Sequence, residues 1–323
     1  MEFSEYVLRH APWSFSKFGS IEKCQLQYHN RYVARKKEQG SSAESKVGVA
    51  VHYISEHVVK HDMAPTAQLL QDAVTQGKLT ANEVDSMMGF MPKVERFADW
   101  LRNFTHQYKV KDTLIEYKMG INRRFEPSPF TPGVIWTPEE LALPWEATSR
   151  DPVRPELRAY EGAALVQAVL DGSAPVMRGV LDLALLTGNN DMVVIDHKTG
   201  KHKNIADHGP QLNVYRLFIA AVYNVRSVQG AIHYVETGRI DWTPPMSREA
   251  IFRQLKPWLL VYLNKQHHKL KLIDQVEAAP PAEIGWWCSW CGYVRDCPEG
   301  LAEHTRRLDA KMKKGQKPTG MSI

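Results

Sequence analysis

Residues 179–215 read GVLDLALLTGNNDMVVIDHKTGKHKNIADHGPQLNVY. Two apolar runs flank Gly188-Asn189-Asn190-Asp191, the pattern of a β-hairpin. Each run carries one acid, Asp182 in the first and Asp196 in the second. Lys198 follows two residues after Asp196, so alternation along a strand points both the same way. A carboxylate inside an apolar strand is costly unless a positive charge meets it. Two such acids beside a lysine suggest a divalent metal site.

Hairpin geometry constrains this reading. A tight two-residue Asn189-Asn190 turn would put the two acids on opposite faces. An odd-length connection sets Asp182 opposite Asp196 on one face. We therefore expect a connection of three or five residues.

The order Gly179-x-x-Asp182, Asp196-x-Lys198-Thr199-Gly200, Gln211-x-x-x-Tyr215 resembles the PD-(D/E)xK nucleases, specifically the RecB-like exonuclease family. That resemblance implies an α/β, restriction-endonuclease-like fold. It has a central mixed β-sheet flanked by helices, a helical N-terminal region and a C-terminal iron–sulfur clasp. Gln211 and Tyr215 lie four apart and share a helix face.

Outward from the hairpin, the chain has 323 residues, 43% hydrophobic and 24% charged, enough for one large elaborated domain. We read residues 1–323 as a single nuclease domain. Within it lie a helical region at 14–110, an insertion at 123–175 and the catalytic hairpin and helix at 176–236. The clasp is Cys24 with residues 286–300. No apolar run reaches the length of a membrane span, and the first residues lack a signal-peptide pattern. We expect a cytoplasmic protein of a bacterial or phage-infected cell. A net charge of +5 suits a polyanionic partner without requiring one.

Ser14 to Val33 reads as one capped helix with Cys24 inside or near its end, and 36–46 as polar loop. Glu44 to His61 is a helix, with Val47, Val51, Ile54 and Val58 at helical spacing. Gly48 lies one turn before His52 and should leave open space above its imidazole. The resemblance makes His52 a metal ligand. Thr80 to Tyr108 reads as one long helix opened by a Thr80–Glu83 capping box, with Pro92 as a possible kink. Lys111 to Asn122 is a strand with Leu114, Glu116 and Lys118 on one face, and Glu116 is a candidate extra acid. The insertion is Pro-rich and irregular, and its Trp136, Trp145 and arginines are available to a substrate strand. Helices are expected at Gln211–Tyr223 and Ser247–Leu270, a strand at Val228–Glu236, a linker at Ala278–Pro281 and a frayed basic tail from Arg306.

The four cysteines are Cys24 and the run Cys288-x2-Cys291-x5-Cys297. Four thiolates suit a [4Fe–4S] cluster, whereas structural zinc favours two paired knuckles, and Cys24 has none nearby. The spacing is similar to the iron–sulfur branch of the family, including the AddB nuclease domain and CRISPR-adaptation nucleases. A [4Fe–4S] cluster is expected, with zinc as the alternative, and Trp286, Trp287 and Trp290 as its shield.

By the same resemblance, Mg²⁺ or Mn²⁺ would sit on His52, Asp182, Asp196 and the carbonyl of His197. Lys198 would orient or deprotonate the attacking water, and Gln211 and Tyr215 would position the strand or the hairpin. The implied activity is exonucleolytic hydrolysis of DNA, on single-stranded ends and 5′ to 3′, in recombination, repair or phage DNA metabolism. A recombinase or a single-strand-binding protein is a candidate companion. Two alternatives stay open: a DNA-binding subunit of a repair or CRISPR-adaptation complex, and an iron–sulfur regulatory protein without nuclease activity.

Overall fold

The computed structural model describes residues 2–38, 42–128, 162–200, 204–275 and 279–315. Trp136, Trp145 and most of the expected insertion lie outside the described residues.

The chain opens with helices α1 (Glu5–Arg9), α2 (Phe15–Lys23) and α3 (Gln25–Tyr28). Ser14 caps α2 by accepting the Lys17 N–H. The single helix expected over 14–33 is broken at Cys24, whose backbone is extended. α4 (Ala43–His61) follows, capped by Ser42, then α5 (Ala67–Gly77). The expected 80–108 helix is two: α6 (Ala81–Met88), with its capping box, and α7 (Met91–Tyr108). Proline has no N–H to give a preceding carbonyl, so Pro92 stands in the first turn of α7 and starts a helix rather than kinking one.

The sheet has β1 (Asp112–Ile121), β2 (Pro127–Ser128), β3 (Met177–Leu186), β4 (Asp191–Lys198), β5 (Ser227–Tyr234), β6 (Arg239–Trp242) and β7 (Met246–Ser247). Its order is β2-β1-β3-β4-β5-β6, with β7 also on β5. Only β4 and β5 run parallel, so the sheet is mixed. Their crossover carries α9 (Gly209–Val222), while α8 (Gly162–Asp171) precedes β3 and makes the end of the expected insertion helical. The expected 247–270 helix is also two, α10 (Arg248–Asn264) and α11 (His267–Gln275), and Lys269 of α11 pairs with Glu283. α12 (Pro298–Lys313) replaces the expected frayed tail up to its last turn.

One sheet face packs on α9 and α10 through residues such as Leu212, Phe218 and Leu259. The other packs on α7, with Phe97, Leu101 and Phe104 against Leu183, Leu185, Val193 and Ile195. A satellite core joins α4, α5 and α7 through Val51, Ile54, Leu69 and Val94.

Between β3 and β4, Thr187 N–H bonds Asp191 O at 2.9 Å and Asn190 N–H bonds Thr187 O at 3.0 Å. Asn190 is left-handed at φ 61°, completing a three-residue connection. The pairing Leu183↔Ile195 follows, which sets Asp182 opposite Asp196.

β1 and β3 hold one register from Asp112↔Leu186 to Ile121↔Met177. Yet their faces exchange midway. Leu114 belongs to the α9-side core and Ile115 to the α7 side; beyond Glu116, Tyr117, Met119 and Ile121 are all on the α9 side. β3 does the same, with Leu183 and Leu185 on the α7 side but Met177 and Leu181 on the α9 side. Glu116, with φ 47°, is the pivot. The expected single-face row of Leu114, Glu116 and Lys118 is thus interrupted at its middle member. Such a conformation costs a non-glycine residue about 1–3 kcal/mol and concentrates at functional sites.

Candidate functional site

β3 and β4 part just beyond Leu183↔Ile195. A regular antiparallel ladder in this register would give the His197 N–H to the main chain of Leu181. Instead it donates to Asp182 Oδ2 at 2.7 Å. The opening is covered by α4, where His52 Nε2 lies 3.1 Å from the His197 carbonyl oxygen and His52 Nδ1 3.8 Å from Asp182 Oδ2.

Donor atoms of His52, Glu116 and Asp182 all lie within 4.8 Å of one another, the one such group of acids, histidines or cysteines among the described residues. They line a small cavity with Glu56, Ser55, Val59 and His197. Burial, then the charge of Asp196, pushes the Asp182 carboxyl up to about 6. Burial, then Asp182, Glu56 and Asp196, pushes Glu116 up to about 7. Crowded acids with raised proton affinity are what a divalent cation relieves, and carboxylates with imidazole suit a hard or borderline ion. The donor set therefore fits such an ion.

Asp196 is 1% exposed and faces α9. Gln211 Nε2 donates to its Oδ1 at 2.6 Å and to the Tyr215 hydroxyl at 2.7 Å. Tyr215 reaches the same oxygen more loosely, at 3.4 Å. The Lys198 ammonium is 2.7 Å from Asp196 Oδ2 but off the line of a hydrogen bond, so the contact is electrostatic. Lys198 also donates to Gln211 Oε1 at 3.2 Å. Asp196, Lys198, Gln211 and Tyr215 thus form one network, and His52, Glu116 and Asp182 another beside it. Asp196 stands outside the three-donor group, whereas Glu116, considered in the sequence only as an extra acid, stands inside it.

Two glycines permit the close packing. A Cβ at Gly48 would come within 3.1 Å of Thr199 Oγ1, so the turn after Lys198 occupies the space expected to be open above His52. A Cβ at Gly179 would meet the Phe218 ring at 2.8 Å, which is how α9 seats against β3.

Behind the site, the His197 ring points away from the opening. Its Nδ1 is 2.9 Å from Nδ1 of His233 on β5, with Phe97 stacked on His233. Burial holds His197 well below the ordinary histidine value and His233 near 4, so both rings are neutral at pH 7. Sequence reading missed His233; its signal is a lone histidine in an apolar strand.

The four cysteines line one small cavity with Leu26, Ile284, Trp287 and Val294. Gln27 and Asn30 also line it, and their side-chain oxygens find no partner. The Glu283 and Gly300 N–H groups donate to the sulfurs of Cys24 and Cys297. Burial pushes the Cys288 and Cys297 thiols up, and Cys291 to about 11, so a cationic group would be needed to hold them as thiolates. No three sulfurs come within 4.8 Å of one another. Tetrahedral zinc, with Zn–S near 2.3 Å, needs about 3.8 Å between sulfurs. Of the three tryptophans expected as a shield, only Trp287 lines the cavity; Trp286 and Trp290 are exposed.

A mixed sheet flanked by helices, with acids crowded where two strands part, fits the restriction-endonuclease-like fold. Residues 12–298 match the model of the PD-(D/E)XK nuclease superfamily, and the chain belongs to that superfamily. No curated protein was found to match. Among solved structures the chain is similar to the one titled "Crystal structure of SSO0001", at 12% identity over 87% of this chain and 94% of that one, with a TM-score of 0.28. No helix among the described residues is long and apolar enough to cross a membrane.

Proposed function

We propose that this chain is a metal-dependent DNA exonuclease acting on single-stranded ends. The observation that carries the metal-dependent part is the convergence of His52, Glu116 and Asp182 at the opening between β3 and β4. A bound Mg²⁺ or Mn²⁺ would supply Lewis-acid stabilisation of the phosphoryl oxygens. Acid–base help alone gives about 10²–10⁴-fold, well short of what phosphate-ester cleavage needs.

His52, Glu116 and Asp182 are assigned to the cation, with the His197 carbonyl beside them and Asp196 at the boundary of the two networks. Lys198, anchored by Asp196 and Gln211, holds its ammonium at the site, where it orients the attacking water or carries its proton. Gln211 and Tyr215 position Asp196 rather than touch the substrate. Action on ends, 5′ to 3′, follows the family resemblance.

The thiol cavity is assigned to a [4Fe–4S] cluster. Its sulfurs stand wider than a single zinc ion takes, and a tetranuclear cluster holds its four thiolates farther apart. Its role would be structural, tying residue 24 to the 288–297 segment.

End-labelled DNA digested with Mg²⁺, Mn²⁺ or chelator tests the reading. We expect metal-dependent digestion by the parent and none by Asp196→Ala or Lys198→Ala. An Asp196→Ala protein that digests DNA at the parental rate would overturn the site assignment.

A further inference from the structure

Two buried imidazoles stand behind the site, and no step of the reaction uses either ring. His197 on β4 and His233 on β5 are 6% and 2% exposed and directly opposite in the parallel ladder. Their Nδ1 atoms lie 2.9 Å apart. Both rings are neutral at pH 7, so at this distance they share one proton: one ring carries Nδ1–H and donates, the other accepts. Phe97 of α7 holds both members. It stacks on His233 at 4.2 Å and 17°, and meets His197 edge-on at 4.8 Å and 89°. Two apolar side chains would fill the same space without taking polar atoms out of water. The pair supplies direction where plain packing would supply only stability.

That direction falls on the backbone of His197. The next residue, Lys198, is tied to β5 through its carbonyl, which accepts the Val235 N–H at 2.9 Å. Main-chain groups alternate sides along a strand, so those of His197 point the other way, into the opening. There its N–H donates to Asp182 Oδ2 at 2.7 Å, and its carbonyl oxygen lies 3.1 Å from His52 Nε2. The ladder to β3 has already ended at Leu183↔Ile195. The ring, not the main chain, is therefore what fastens His197 to β5.

We propose that His233 is a positioning residue for the cation site. Its imidazole, backed by Phe97, holds the His197 ring. It thereby aims both the N–H that clamps Asp182 and the carbonyl assigned beside the cation. This rests on the reading of His52, Glu116 and Asp182 as a cation site, and extends that site to a strand that supplies no ligand. Groups that orient metal ligands from behind change metal affinity about 10–100-fold when removed.

The test is Mn²⁺ affinity by titration calorimetry, set beside melting in chelator, for His233→Leu and His233→Asn. Leucine fills the volume but cannot bond the His197 ring. Asparagine sets a polar atom near the place of Nδ1 and can. The leucine protein should bind Mn²⁺ about tenfold or more weakly while melting no lower than the parent. The asparagine protein should melt lower and yet keep an affinity close to the parent's. A purely structural histidine gives the reverse order, since leucine suits an apolar strand better than asparagine does. A leucine protein that binds Mn²⁺ as tightly as the parent overturns the assignment. Nitrogen-15 spectra of the parent need no variant: one of the two rings should be the Nδ1–H tautomer. Two Nε2–H rings cannot bond through Nδ1, and finding them overturns the assignment even if the leucine protein fails to fold. Should the parent bind no Mn²⁺, the cation site itself falls and this role with it; a parent that binds beside an unaffected leucine protein sinks His233 alone.

Discussion

The Asp182 carboxylate takes the His197 main-chain N–H at 2.7 Å, in the place a strand carbonyl would occupy. One side chain thereby satisfies the backbone where β3 and β4 separate, and remains at the mouth of the gap it creates. Without it, that N–H would be buried and unpaired, at about 1–3 kcal/mol.

Asp182→Asn should reduce metal-dependent DNA cleavage at least 10²-fold, the scale of a lost electrostatic contact in a transition state. The amide oxygen can still accept from His197, so the fold should survive. Equal cleavage rates at matched Mg²⁺ would remove Asp182 from the chemistry. Asp182→Ala should also lower thermal stability in chelator.

Glu116→Gly should separate stability from function. Glycine adopts φ 47° without strain, so the melting temperature should hold or rise by a few degrees. Metal affinity, followed by titration calorimetry with Mn²⁺, should fall about tenfold or more. A glycine protein that melts well below the parent would show that the left-handed backbone carries no stored cost.

In chelator, the stability of the parent relative to an Asp182→Asn/Glu116→Gln protein should decline as pH rises from about 4 to about 7. The comparison cancels the opposite slope of His197 and His233, whose burial keeps them neutral in both proteins. Burial and mutual repulsion raise Asp182 from 3.8 to about 6 and Glu116 from 4.5 to about 7. The folded state thus holds protons that the unfolded chain releases, and its advantage is lost as pH climbs through the folded values. Added Mn²⁺ should reverse the loss near neutral pH. A parent-minus-variant stability difference that is flat across this range would contradict the crowding of charge.

Protein purified without oxygen should be brown and carry four irons per chain. Cys24→Ser or Cys297→Ser should destabilise the fold more than it disturbs chemistry directly, because the two sulfurs join distant segments. Stoichiometric zinc with no iron in anaerobic material would defeat the cluster assignment.

Linear single strands should be degraded and covalently closed circles spared. Equal initial rates on both would make the enzyme an endonuclease.

The hairpin was legible because odd connections and acid pairing admit few registers; Gln211 and Tyr215 were legible through the family resemblance, and their common helix face through the four-residue spacing. The place of Glu116 was not. Alternation along β1 puts it with Leu114 and Lys118, and only a left-handed backbone, invisible in residue types, rotates the strand there. The division of 80–108 was readable in principle, since Gly89 and Pro92 punctuate it, but the apolar stripe from Met87 to Phe104 continues across the break. His233 escaped because its partner is 36 residues away in sequence.

The contacts of Cys24 bear on how the protein is made. It shares a cavity with Cys288, Cys291 and Cys297, and the Glu283 carboxylate accepts the N–H of the next residue, Gln25, at 2.9 Å. Synthesis at about 5–20 residues per second separates these partners by tens of seconds. During that interval the emerging chain holds α2 only partly covered, since Tyr262, on which Phe18 stacks, arrives almost as late. The segment around Cys24 is thus housed late, which leaves this stretch of the newborn polypeptide open to chaperones and proteases until residues 283–297 have emerged from the ribosome.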